Sequence, residues 1–297
     1  MTDGPLSLSP VSTTAVGVAA VRAAESVQAD PLFADPLAPA FVRAAQTLWP
    51  VDRADRADHD DHDDHDGRDD RRRVGALIFW IRVRTRFLDD VVTDACADGC
   101  RQFVVLGAGL DARAFRLPFP ADARCFEADL PPVLAFKEQV VRDGGFVPAC
   151  ERIVVPTDLA GAWPADLERA GFDPARRTTW LAEGLLAYLT EATRETVIDD
   201  VTARSVPGSR FGLTVATVDR RAVAPRDPDG LPTRPGDYVA LWQSGPPPDA
   251  HTWLGDRGWS VTQHDALERG AAYGMEVPAT RGRRDRGRAR LVDATRR

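Results

Sequence analysis

The chain has 297 residues, 43% of them hydrophobic, and a formal charge of −7. That is enough apolar material for one large α/β domain or two smaller ones. The negative balance excludes a global positive field of the kind that holds proteins on nucleic acid or anionic membranes. Lys137 is the only lysine, which leaves almost no place for a lysine Schiff base or a Tyr-x-x-x-Lys dyad.

The four cysteines, Cys96, Cys100, Cys125 and Cys150, lack a C-x-x-C spacing and read as reduced thiols rather than as metal ligands or disulfides. No run of about 18 apolar residues occurs, and the N-terminal stretch has no basic segment leading into an apolar one. A soluble, cytoplasmic protein with no membrane partner is expected.

Residues 13–47 carry helical signals, with Ser12, Thr13 and Thr14 as cap candidates and DPLFADPLAP as the break between two helices. Residues 52–73 are charged almost without interruption and have no apolar face, so a disordered, solvated acidic loop is expected there. A further helix follows from Gly75 to Ala97, where Phe79, Val83, Phe87, Val91 and Ala95 recur at spacing four and make one apolar stripe.

From Gln102 onward the pattern changes to short apolar runs separated by helical segments, the signature of βαβ units and a mostly parallel sheet. The predicted strands are 103–109, 124–130, 152–159, 178–184 and 210–217; the helices between them are 131–143, 162–171 and 190–204, the last with Thr190 as N-cap. Residues 219–250, rich in Pro, Gly, Asp and Arg, read as a lid insertion with DYVALWQ as a short helix inside it. Then come a helix, a glycine turn and a strand in AHTWLGDRGWSVTQHD, and a solvated basic connection into a final edge strand at Ala289 to Ala294. The expected division is an N-terminal helical cap, 1–100, and a ligand-binding α/β domain, 101–297.

The chemistry concentrates in VVLGAGLDARAF, Val104 to Phe115. Gly107, Gly109 and Ala112 satisfy the relaxed G-x-G-x-x-G/A pattern after a strand, where missing side chains let a ligand approach the backbone. Asp129 ends the next strand 22 residues beyond Gly107, where a carboxylate can take both hydroxyls of a ribose. Asp158 and Glu183 repeat the placement at two further strand ends, the edge where open α/β sheets bind ligands. Helix capping is the competing role for each of these acids taken singly. Asp111 sits inside the turn, poorly placed for the diphosphate of a dinucleotide but suited to a ligand with a cationic end. S-adenosylmethionine, with a sulfonium, an α-amino group and no phosphate, fits that description; Asp158 could accept from its adenine amino group.

With GAGLDARAFRLP and AEGLLAYL in one sequence, together with VRTRFLDD, FEADLPPVLAFK and TDLAGAW, the chain resembles the bacterial S-adenosylmethionine-dependent methyltransferases related to leucine carboxyl methyltransferase, over most of its length. The resemblance implies a Rossmann-like class I methyltransferase fold: a mostly parallel seven-stranded sheet with helices on both faces and the seventh strand inserted antiparallel near the edge. It also implies site roles. Arg84 would pair with the methionyl carboxylate, Gly107 and Gly109 would form the floor under the methionine moiety, and Asp129 would bind the ribose. Asp158 and Leu159 would face the adenine, and Glu183 would lie near the cofactor's amino group. On residue pattern alone Arg84 reads as an exposed helical arginine beside Arg82 and Arg86.

The activity expected is in-line methyl transfer to an oxygen of a small-molecule acceptor, a carboxylate or a hydroxyl. An ionised carboxylate needs no strong general base, in keeping with the absence of a recognisable triad, and no catalytic residue is assigned. Tyr188, five residues after Glu183, lines the acceptor pocket in this reading or packs in the core in the simpler one. Three alternatives stay open: a nicotinamide-dependent oxidoreductase using the same turn, a metal site built on His59, His62 and His65, and a relative that keeps the fold without turnover. The expectation here is that no metal is used.

Overall fold

The structure is a computed structural model that describes residues 10–48, 66–216, 241–245, 249–278 and 289–297. Within these, seven strands form one sheet in the order β3-β2-β1-β4-β5-β7-β6. Strands β1 (Gln102–Leu106), β2 (Arg124–Asp129), β3 (Glu151–Pro156), β4 (Thr178–Ala182) and β5 (Arg210–Ala216) run parallel, whereas β7 (Ala289–Arg296) pairs antiparallel with β5 on one side and with β6 (Trp259–Asp265) on the other. The order reverses between β1 and β4, the switch point at which open α/β sheets form a crevice beyond their carboxyl ends.

Period-two alternation sends each strand's side chains into two separate cores. In β1, Val104 and Leu106 enter one core with Phe126, Trp163, Trp180, Val197 and Phe211; Phe103 and Val105 enter the other with Phe79, Val83, Phe87 and Leu181. Helices α6 (Trp163–Arg169), α7 (Glu191–Ala203) and α8 (Ala250–Gly255) line the first core. The long helix α3 (Asp66–Ala97) and α9 (Ala266–Ala272) line the second. The predicted stripe is the buried face of α3: Phe79, Val83, Phe87, Val91 and Ala95 are all buried. A third core joins α1 (Pro10–Ser26), α2 (Ala38–Leu48) and α5 (Pro131–Gly144) to Leu110 and Ala112 of the glycine turn. The N-terminal cap thus rests on the turn itself. Arg22 fastens it, donating to Asp35 at 2.8 Å and to the Leu110 carbonyl at 2.5 Å, while Asp35 accepts from the Leu37 and Ala38 N–H groups at the start of α2.

Thr190 caps α7 by accepting from the Thr193 N–H, as the sequence predicts. Several boundaries differ. Helix α3 starts at Asp66, so residues 66–73, expected in the acidic loop, are its first turns; a helix nucleated on the packed stripe propagates back through the arginines and past the weaker helix formers Asp and Gly. The final strand is no edge strand. Its Leu291, Val292 and Ala294 are buried between β5 and β6, and β6 takes the edge. Helix α9, capped by Asp265, and the short α4 (Arg113–Arg116) are elements that periodicity did not reveal. The rest of the acidic loop, residues 217–240 and 246–248 of the lid region with most of DYVALWQ, and the basic connection 279–288 lie outside the described residues, as do His59, His62 and His65. The returning end of the lid region docks on the chain after β4: the Gln243 N–H donates to the Ala187 carbonyl at 2.8 Å. No helix among the described residues is long and apolar enough to cross a membrane.

The one lysine is consumed by the fold. Lys137 of α5 is fully buried and donates to Glu127 of β2 at 2.7 Å; Arg152 of β3 donates to the same carboxylate oxygen at 2.7 Å. Losing one member of a buried ion pair leaves a charge without adequate compensation, typically at a cost of 3–5 kcal/mol. Lys137→Met is therefore expected to destabilise the protein by about 3 kcal/mol, the lower end of that range because Arg152 remains. Urea unfolding measures it, and a loss below about 1 kcal/mol would contradict a structural role for the pair.

Candidate functional site

Four consecutive neighbours in the sheet, β3, β2, β1 and β4, deliver their carboxyl ends side by side, and each carries one of the predicted site groups. Gly107 follows β1 directly, Asp129 is the last residue of β2, Asp158 and Leu159 lie just beyond β3, and Glu183 follows β4 directly. Arg84 reaches the same place from α3. The sequence-predicted cofactor residues are therefore brought together at one edge, across the switch point.

The turn after β1 needs its glycines. Gly107 has φ +60° and Gly109 φ +46°, the left-handed region that side chains disfavour. A Cβ at Gly107 would also come within 2.7 Å of Leu185 Cδ1. The floor above Gly107 is thus bare backbone, flanked by an apolar side chain from the β4 turn. Asp129 closes the other side: Oδ2 accepts from the Gly109 N–H at 2.5 Å and Oδ1 from the Leu130 N–H at 2.6 Å. Burial pushes the Asp129 carboxyl above its ordinary value, only partly opposed by these two N–H groups. An ionised carboxylate has about four acceptor positions, so two remain for vicinal hydroxyls. Asp158 is exposed and its Oδ1 accepts from the Ala160 N–H at 2.9 Å, whereas Leu159 beside it is buried. That pair offers an acceptor next to an apolar surface.

Beneath the crevice lies an ion cluster made of Arg84, Arg113 and Arg116 with Asp89, Asp111 and Glu183, three charges of each sign. Arg113, 2% exposed, is its hub. It donates to Asp89 Oδ1 at 2.8 Å, to Glu183 Oε2 at 2.7 Å, to the Thr85 carbonyl at 3.1 Å and, by Nη1, to Asp111. Arg116 grips Asp89 with two bonds of 2.6 Å. Glu183 Oε1 accepts from Arg84 Nε at 3.0 Å and from the Thr85 hydroxyl at 3.2 Å. Burial pushes the Glu183 carboxyl up, but the Arg113 and Arg84 guanidiniums together hold it below the usual carboxylate range. For Asp111 the balance is steeper: burial raises it, and Arg113, Lys137 and Arg22 bring it to about 2. The terminal nitrogens of Arg84 lie against Gly184, φ +63°, where a Cβ would sit 2.9 Å from Nη1; neither makes a hydrogen bond among the described residues.

Two sequence readings change here. Asp111, read as facing a cationic ligand, turns inward and spends its charge on Arg113; it balances the cluster and does not select the ligand directly. Arg84, which residue pattern alone made an exposed arginine, has a side chain only 12% exposed. Tyr188 ends a 3₁₀ turn at Leu186–Tyr188 and is half-buried rather than core, with its hydroxyl making no hydrogen bond among the described residues. Arg113, Arg116, Thr85 and Asp89 went unrecognised. Pairing Arg113 of the D-A-R-A-F-R run with Asp89, 24 residues upstream, takes the fold.

The donor set fits S-adenosylmethionine: a glycine floor a Cβ would fill, a carboxylate with two free acceptor positions, an acceptor beside an apolar residue, and a guanidinium and a carboxylate together for an amino acid's charged end. The sequence pattern of leucine carboxyl methyltransferase matches residues 15–202. A Streptomyces avermitilis relative, 42% identical over 76% of this chain and 78% of its own, is named an S-adenosyl-L-methionine-dependent methyltransferase. So is a Streptomyces coelicolor relative, 44% identical with the same coverage. A crystal structure of a DUF574 family protein from Streptomyces avermitilis shares the fold, with a TM-score of 0.53 at 14% identity over 94% of this chain and 97% of that one. These matches set the oxidoreductase alternative aside: the chain belongs to the leucine carboxyl methyltransferase family of S-adenosylmethionine-dependent methyltransferases.

Proposed function

We propose that this S-adenosylmethionine-dependent methyltransferase methylates a carboxylate oxygen of a small-molecule acceptor, with the cofactor laid across the carboxyl ends of β3, β2, β1 and β4. The observation that carries the reading is the convergence of Asp129, Asp158, Glu183 and the Gly107 turn on adjacent strand ends. In this reading Asp129 takes the ribose hydroxyls with its two spare acceptor positions, and Asp158 and Leu159 hold the adenine. Gly107 and Gly109 lie under the methionine moiety, Arg84 takes its carboxylate and Glu183 its ammonium. Tyr188, on the turn after Glu183, lies on the acceptor side.

The bound cofactor supplies a sulfonium-activated methyl, which passes to the acceptor oxygen while the electron pair of the broken S–C bond stays on sulfur. The chain's task is then positioning. Alignment of the two reactants alone can supply several kcal/mol of barrier lowering, and a carboxylate acceptor arrives ionised, so no residue has to remove a proton. The family's description as a carboxyl methyltransferase supports this choice of acceptor.

Asp129→Ala, in a protein that stays folded, is expected to weaken S-adenosylmethionine binding by about 100-fold or more, since two hydrogen bonds to a charged group are lost at roughly 1.5–3 kcal/mol each. Calorimetry reads this directly, and an unchanged affinity would remove Asp129 from the site. Incubation with methyl-labelled cofactor and a panel of carboxylated metabolites should yield label that mild alkali releases, as a methyl ester requires. Alkali-stable label would point to a hydroxyl acceptor instead.

A further inference from the structure

We propose that Arg113 is a positioning residue for the cofactor: by gripping Oε2 of Glu183 from below, it fixes that carboxylate in place and in its charged form for the cofactor's α-ammonium. This rests on the assignment of Glu183 to the amino end under Proposed function. The division of labour between the two carboxylate oxygens is visible in the geometry. Oε2 is held at 2.7 Å by Arg113, which is almost fully buried and itself locked by Asp89, Asp111 and the Thr85 carbonyl. Oε1 is held by Arg84 Nε and the Thr85 hydroxyl at 3.0 and 3.2 Å, and the Arg84 guanidinium, over the Trp80 ring, has no hydrogen-bond partner for its terminal nitrogens among the described residues.

The Arg84–Glu183 pair has the same two charged groups that an amino acid zwitterion would meet. A ligand ammonium and carboxylate can each be answered by one member of the pair, provided Glu183 keeps its place and its charge when Arg84 engages the ligand. Arg113 secures both. The groups facing Glu183 are Arg84 and Thr85 from α3, Arg113 from α4, Asp111 from the glycine turn and, further off, Arg22 from α1. Of the two cations bonded to Glu183, Arg113 is the one that does not also have to serve the ligand. Without it, burial is opposed at close range by Arg84 alone, so the carboxyl takes up a proton at a higher pH than in the intact cluster.

The test uses Asp111→Asn/Arg113→Gln, which removes one charge of each sign and so keeps the cluster balanced. S-adenosylhomocysteine is the probe for calorimetry: it carries the same amino acid end without the reactive methyl, and its ammonium stays charged below about pH 7. Wild type should bind with an affinity that is flat from pH 7 to pH 5.5. The double variant should bind about tenfold more weakly at pH 7 and lose several-fold more by pH 5.5, as Glu183 protonates. Adding Glu183→Gln should flatten that profile again. Wild-type affinity with a flat profile in the folded double variant overturns the proposal. Should circular dichroism show the double variant unfolded, Arg113→Lys decides: it keeps the charge and loses the fork, so weaker binding with a flat profile is expected, and unchanged affinity overturns the proposal. A wild type that binds no nucleoside at all would refute the cofactor assignment, and with it the role given to Arg113; loss confined to the variants separates the two.

Discussion

The Arg113 guanidinium is where the site and the fold become one problem. Taking an ion out of water costs several kcal/mol even after the protein relaxes around it, and beneath the crevice six buried or partly buried ions are joined by hydrogen bonds. Such a cluster persists only because each charge is matched and hydrogen-bonded: Arg113 alone engages three carboxylates and a carbonyl. Those partners come from α3, the glycine turn and the end of β4. One side chain therefore sets the distance between the long cap helix and the sheet edge, and with it the separation of Arg84 from Glu183.

The sheet supplies the other constraint. Because β1 and β4 are neighbours while their connections leave in opposite directions, a crevice opens beyond their carboxyl ends, and the chain places a glycine floor at one lip and Glu183 at the other. The cap helices close over this place rather than beside it. Ala15 of α1 would lie 3.6 Å from a Cβ at Gly109, and Arg22 bonds the carbonyl of Leu110 in the same turn. The N-terminal cap, the turn and the ion cluster thus brace one another, so the glycine turn is held by helices distant in sequence.

Much of this was legible in the residues. Alternating short apolar runs located five parallel strands to within a few positions, the i, i+4 stripe from Phe79 to Ala95 marked the buried face of α3, and the acids spaced along the sequence do lie at adjacent strand ends. What failed did so for physical reasons. Helix α3 extended back to Asp66 because propagation from a packed segment overrides local polarity. The last strand was misplaced at the edge because strand order is a long-range property that no local pattern encodes. Asp111 was read as facing the ligand because a carboxylate in a glycine turn looks available until a buried arginine is seen to claim it.

The most direct measurement is a crystal structure with S-adenosylhomocysteine bound. The ribose should lie on Asp129, the thioether over Gly107, and the amino acid end between Arg84 and Glu183, with the Arg113 to Glu183 Oε2 bond intact. Nucleoside density away from Asp129, or an amino acid end that touches neither Arg84 nor Glu183, would contradict the site described for this chain.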